Sequence, residues 1–156
     1  MWRLYTSNRA SDFIARSTLP QVIDMIESAR RRILIASFSD IDQRVIKAVC
    51  GASERGVEDI VVVLDRLNCD LARAKRGFPD SARILVNIEP DQRSDMIMHI
   101  KSVVADSSIL IGSSNLSSTA LESNLELSVV VKDIDLALEV VEFLESCETR
   151  GLLVEH

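Results

Sequence analysis

The sequence predicts an α/β fold, a mixed and largely parallel central sheet flanked by helices on both faces, in one domain spanning residues 1–156. Three observations carry this. Short runs of β-branched and apolar residues recur at 33–38, 59–65 and 83–88, and such unbroken runs suit strands covered on both sides. Longer stretches of helical period separate them. Strand, helix and strand in that order predict a right-handed crossover and a parallel pair.

Residues 1–5 predict a short edge strand, and 6–17 are polar with no assignable element. Ser17 or Thr18 caps a helix with Pro20 in its first turn. Val22, Ile23, Ile26 and Ala29 follow at helical spacing. Arg30, Arg31 and Arg32 suit the negative pole at its end, contact with a phosphate backbone being the other use of such a triplet. After the 33–38 strand, a helix over about 41–55 places Ile41, Val45, Ile46, Val49 and Ala52 on one stripe and stops at Gly56. Ser37, Ser39 and Asp40 lie at the C-terminal end of the preceding strand, where sites in such sheets open, although Ser39 or Asp40 equally suits a helix cap. Segment 66–82 breaks the pattern, with Arg73, Lys75 and Arg76 on a short helix before Gly77 and Pro79. A strand at 83–88 and a polar loop at 89–95 with Pro90 and Arg93 follow. Last comes a helix over 134–147, with Ile134, Ala137, Leu138, Val141 and Leu144 on its inner face and acidic residues opposite.

Composition narrows the function classes. Hydrophobic residues at 47% and charged residues at 27% describe a soluble globular domain. No apolar run reaches the ~18 residues of a membrane span. Arg3, Arg9, Asp12 and Arg16 interrupt the N-terminal apolar positions, unlike a signal peptide, so the expected compartment is the cytoplasm without stable membrane association. Cys50, Cys69 and Cys147 are widely spaced, with neither a CxxC pair nor an accompanying His. They read as buried small apolar residues rather than disulfide or zinc ligands, and no cofactor or metal is expected. The net charge of -6 argues against a general nucleic-acid binder. Most of that charge lies in 132–148, where Asp133, Asp135, Glu139, Glu142, Glu145 and Glu148 face a single Lys132, leaving acid and base nearly balanced elsewhere.

The chemistry concentrates in 98–131, MHIKSVVADSSILIGSSNLSSTALESNLELSVVV. Residues 97–105 predict a strand, and its two-residue repeat projects His99 and Lys101 from one face. Asp106 and Ser107 make a tight turn, Ser108 begins the return strand, and Gly112, Ser113, Ser114 and Asn115 arrive back at the end where His99 and Lys101 emerge. A helical turn over 116–121 and a third strand over 124–131 bring Glu126 to the same region. Ammonium, carboxamide and hydroxyl together suit a phosphate. Glu126 suits a partner that holds one imidazole nitrogen of His99 while the other attacks. Asp106 and Ser113 read equally as turn residues.

His99, Lys101 and Asp106 at H-x-K-x4-D spacing, followed by Gly112, Ser113 and Asn115 as G-S-x-N, resemble the HKD signature of the phospholipase D superfamily. Residues 19–66 resemble the N-terminal half of its small single-motif members, which include a bacterial endonuclease. Five residues separate Asp106 from Gly112, one fewer than the usual spacing, and Glu126 stands eleven residues after Asn115 as the family leads one to expect. The resemblance implies a phospholipase D-like fold with one motif per chain. It also implies a metal-independent phosphodiesterase, foremost a nuclease acting on DNA or RNA through a phosphohistidine.

Such a reaction needs a nucleophile on one side of phosphorus and a proton donor on the other, which one His99 cannot supply. A homodimer sharing its site across a two-fold axis is therefore implied. His99, Lys101, Asn115 and Glu126 take the catalytic roles and Asp106 and Ser113 support them, while Ser37, Ser39, Arg73, Lys75 and Arg76 are candidates for substrate contact. The alternatives are a phospholipid phosphodiesterase and a catalytically silent nucleic-acid-binding module of the same fold.

Overall fold

In the computed structural model, residues 1–6, 18–88 and 97–156 are described. The expected polar segment at 6–17 lies outside them except for Thr6, which ends a strand, and Ser17 as a cap and the 89–95 loop with Pro90 and Arg93 lie outside them entirely. The order of elements is β1 (Trp2–Thr6), α1 (Thr18–Ser28), β2 (Arg32–Ser37), α2 (Gln43–Glu54), β3 (Asp59–Leu64), α3 (Leu71–Gly77), β4 (Arg83–Asn87), β5 (Ser102–Ala105), β6 (Ser108–Gly112), α4 (Ser118–Glu122), β7 (Leu127–Lys132), α5 (Ile134–Thr149) and β8 (Leu153–Glu155).

These strands form one sheet in the order β1-β7-β6-β5-β2-β3-β4-β8. Alternation along β2 explains its place at the centre. Ile33 and Ile35 face a core built with α1, α2, α3 and α4, while Leu34 and Ala36 face a second core under α5. The mixed sheet covered on both faces is thus as the sequence predicts. Parallel pairing, expected to dominate, is confined to β2 with β3 and β3 with β4. The other pairings among the described residues are antiparallel. Among the described residues, helices link adjacent parallel strands at β2–α2–β3 and β3–α3–β4, whereas β5, β6 and β7 are joined by a hairpin and a short helical connection that reverse the chain.

Two boundaries differ from the sequence pattern in ways that matter for the site. Helix α1 ends at Ser28, so Arg30 and Arg31 lie in the connection and Arg32 opens β2, rather than forming a helix end. The expected strand over 97–105 is a strand only from Ser102, and residues 97–101 lie outside any ladder. Across the ladder Ser102 opposes Ile111 and Ala105 opposes Ser108, leaving Asp106 and Ser107 as a two-residue turn with Asp106 at a φ of 51°. The shortened spacing of the motif is therefore absorbed in the turn, at a residue type that tolerates positive φ.

Candidate active site at the open end of β5, β6 and β7

Residues 97–101 keep the strand alternation without the strand's hydrogen bonds. Met98 and Ile100 pack into the core under α5, and His99 and Lys101 point the other way. In place of a ladder, the Met98 N–H donates to the Asp65 carboxylate at 2.9 Å. Asp65, just past the end of β3, is fully buried and also accepts from the Asn68 carboxamide at 2.7 Å and from the Leu67 and Asn68 N–H groups at 3.1 Å. Burial pushes its carboxyl upward, but these donors outweigh burial and hold it below the usual carboxylate range.

Lys101 donates to the His99 carbonyl at 3.0 Å and sits over the Phe38 ring, 5.3 Å from its centroid. The same ring meets the His99 imidazole at 4.6 Å between centroids and 63° between planes. Burial lowers the Lys101 pKa, partly offset by the facing Glu126 carboxylate. Glu126 accepts from the Ser113 hydroxyl and from the Asn124 carboxamide, the latter at 3.2 Å. No hydrogen bond joins it to His99 within the chain, so the expected grip of Glu126 on the imidazole is not made there. Instead Glu126 closes a junction in which the Ser113 N–H donates to the Leu127 carbonyl at 3.0 Å and the Leu127 N–H donates to the Ser113 hydroxyl at 3.2 Å. Gly112 is required beside this junction, because a Cβ there would collide with the Leu127 carbonyl and the Ser128 backbone.

The loop carrying Asn115 is tied down from the first half of the chain. The Asp42 N–H donates to the Leu116 carbonyl at 2.8 Å, and the Ser118 hydroxyl donates to the Asp42 carboxylate at 2.6 Å. Hydrogen bonds from Arg44 hold that carboxylate far below its ordinary range. The carboxamide oxygen of Asn115 is buried without a hydrogen-bond partner. An unsatisfied amide oxygen of this kind costs about 1–3 kcal/mol, a deficit that a ligand donor removes.

The other candidates separate. Asp106 stands at the opposite end of the hairpin, where its carboxylate accepts from the N–H groups of Arg30 at 2.8 Å, Arg31 at 3.0 Å and Arg32 at 2.9 Å. Burial raises its pKa, but these backbone donors lower it further. The length of β2, about 20 Å at the rise of a strand, separates this clamp from Phe38. Ser37 is fully buried and donates to the Ser39 carbonyl at 2.8 Å, so it braces the turn at the end of β2 and is not open to substrate. The Ser39 hydroxyl is buried and unpartnered. Arg73 lines a small cleft with Asp40 and Asp70, whereas Lys75 reaches the His156 carbonyl at 3.4 Å, beside the start of β4. Cys50, Cys69 and Cys147 are partly exposed rather than buried, because each lies at the rim of a core. Cys69 spends its thiol on the Phe38 carbonyl at 3.7 Å, and burial together with Asp40 pushes its pKa up to about 12.

Phe38, Asp65, Asp42 and Asn124 were not legible as site residues. The sequence places Phe38 and Asp65 at ends of neighbouring strands, and Asp42 just before a helix, but nothing local says what they touch.

Comparison with known proteins agrees with this fold. The family model described as cardiolipin synthase, PLD-like domain, matches residues 22–147. Cardiolipin synthase A from Cronobacter sakazakii is 29% identical over 114 residues, covering 71% of this chain and 23% of that protein. The chain thus spans under a third of that curated relative. Among solved structures, the phospholipase D family member Nuc from Salmonella typhimurium superposes with a TM-score of 0.78 at 21% identity, covering 100% of this chain and 97% of that one. NucT from Helicobacter pylori gives 0.77 at 19% identity, covering 100% and 99%. No helix among the described residues is long and apolar enough to cross a membrane. With the family model spanning most of its length and the matching fold covering the whole chain, the chain belongs to the phospholipase D-like family.

Proposed function

We propose that this chain is a phosphodiesterase that cleaves DNA or RNA at a site completed by a second copy of itself. The observation that carries the reading is the cluster of His99, Lys101, Ser113, Asn115 and Glu126 at one sheet end, in which each chain places a single imidazole, that of His99. Its rim is apolar where a partner is needed, with Ile97, Ile111, Leu125 and Leu127 exposed around the motif. The full-length match to the small Nuc and NucT folds supports the same arrangement.

In the proposed reaction His99 attacks phosphorus, forming an N–P bond while the bond to the leaving oxygen breaks. His99 of the partner subunit gives its proton to that oxygen. The partner imidazole then takes a proton from water, the water oxygen bonds to phosphorus, and the N–P bond breaks to restore His99. Lys101 and the Asn115 carboxamide steady the non-bridging oxygens as charge grows there. Within the chain, Glu126 holds the Ser113 junction and faces Lys101. This sequence draws charge and nucleophile from side chains and calls for no metal.

A second reading, transfer or hydrolysis at a phospholipid phosphodiester, is favoured by the family description and by the cardiolipin synthase relatives. One experiment tests both. Wild type and His99→Ala are incubated with excess chelator and single- and double-stranded DNA and RNA, and separately with phosphatidylglycerol vesicles. Polynucleotide cleavage that survives chelator and is lost in the variant is expected. Turnover of vesicles alone would replace the first reading with the second. Polynucleotide binding with no turnover of any substrate would favour a silent module.

A further inference from the structure

We propose that Phe38 is the positioning residue of the His99–Lys101 pair, a single aromatic ring that sets the imidazole with its edge contact and the ammonium with its face. The proposal deepens the reading of His99 and Lys101 as the phosphodiester site and rests on it.

The need for such a residue follows from the backbone. Residues 97–101 make no ladder, so sheet hydrogen bonds do not fix the direction of either side chain. Asp65 anchors the N–H of Met98, whose side chain points into the opposite core, and this holds the strand path without orienting His99. Among the described residues no carboxylate is hydrogen-bonded to the imidazole, the oxygens of Glu126 accepting from Ser113 and Asn124. What does touch the imidazole is the Phe38 ring, at 4.6 Å and 63°. Such near-perpendicular aromatic pairs are directional. Lys101 lies over the same ring at 5.3 Å, inside the range of roughly 6 Å where a cation feels the negative ring face.

An aromatic contact has two chemical advantages here. It orients the imidazole without occupying either nitrogen, leaving one free to attack and the other free to exchange a proton. It also covers Lys101 without pairing it tightly to an anion, so the ammonium keeps the donors not used on the His99 carbonyl for a phosphate. The backbone of the platform is tied by hydrogen bonds. Ser37 donates to the Ser39 carbonyl across Phe38, and the Cys69 thiol donates to the Phe38 carbonyl.

The test compares Phe38→Leu, which keeps apolar bulk, with Phe38→Tyr, which keeps the ring. The chain has two histidines, so the carbon-bound imidazole protons of His99 can be followed by NMR with His156 as internal control. Phe38→Leu is expected to shift the His99 signals and leave those of His156 in place. It is expected to lower kcat on the best polynucleotide substrate by about 10–100-fold, the scale of a small misplacement of reacting groups, with KM within about twofold. Phe38→Tyr is expected to restore both. Unchanged His99 signals in Phe38→Leu, or shifted signals with wild-type kcat, would overturn the proposal. A wild type that turns over no phosphodiester defeats the functional reading instead, and the pattern of proton–proton contacts from the His99 ring, which loss of the Phe38 ring current does not alter, still decides whether Phe38 orients the imidazole.

Discussion

The two ends of the β5–β6 hairpin, four ladder pairs apart, are built on opposite principles. At the turn, Asp106 receives three backbone N–H groups from residues 74 to 76 positions away, and its polarity is spent on holding β2 against the hairpin. At the open end polar groups are left short of partners. The buried Ser102 and Ser128 hydroxyls and the Asn115 amide oxygen have none, and Lys101 is partly desolvated. The contrast teaches that one motif distributes its residues between holding the fold and facing outward from it. His99 and Lys101 are presented, while Asp106 makes the presentation stable.

If that division is right, the largest effect belongs to the open end. His99→Ala should lower turnover by at least about 10^4-fold, as loss of a nucleophile does. Its melting temperature should stay within about 2 °C of wild type, because His99 is exposed and surface changes stay within about 0.5 kcal/mol. A loss of many degrees would make His99 structural and erase the contrast.

The turn should respond in the opposite sense. Asp106→Asn keeps a residue that tolerates the positive φ but removes the charge and one acceptor, and should cost about 1–3 kcal/mol of stability. Activity per folded molecule should not change. Because the folded carboxyl of Asp106 is lowered, its contribution is complete above the unfolded value near 3.9 and disappears as pH falls through that value toward the folded one. Asp65 and Asp42 behave alike. Wild-type stability measured by denaturant titration should therefore be level from about pH 7 to 5 and fall below about pH 4. Asp106→Asn should fall less steeply. Parallel curves would mean that the clamp contributes no charge-dependent stability.

The smallest effect sharpens the comparison. Ser102→Ala removes a buried hydroxyl that has no partner, so stability should hold or rise by up to about 1 kcal/mol. A drop of more than that in chemical denaturation would show that the open end is satisfied after all, and that its polar groups serve the fold as those of the turn do.

Much of this was legible before any coordinates. The period-two alternation that puts His99 and Lys101 on one face survives even where the ladder does not, since it depends only on an extended backbone. The two-residue turn at Asp106 follows from the short spacing to Gly112, and the return of Ser113 and Asn115 follows from the hairpin. These are local consequences of chain geometry. Parallel pairing does not predominate, because strand direction outside β2, β3 and β4 depends on turns and on partners far away in sequence.

The sequence by itself determined the layers and the projection of His99 and Lys101 from one face, because hydrophobic period and strand alternation act within a few positions. Only the tertiary structure decided that Asp106 serves residues 30–32, that Glu126 turns to Ser113 and Asn124 instead of His99, that Ser37 braces a turn and that Phe38 and Asp65 receive the unladdered segment. Those contacts join strand ends that become neighbours only once β5 pairs with β2 and β2 with β3. Sheet order is a property of the whole chain, and no local pattern encodes it.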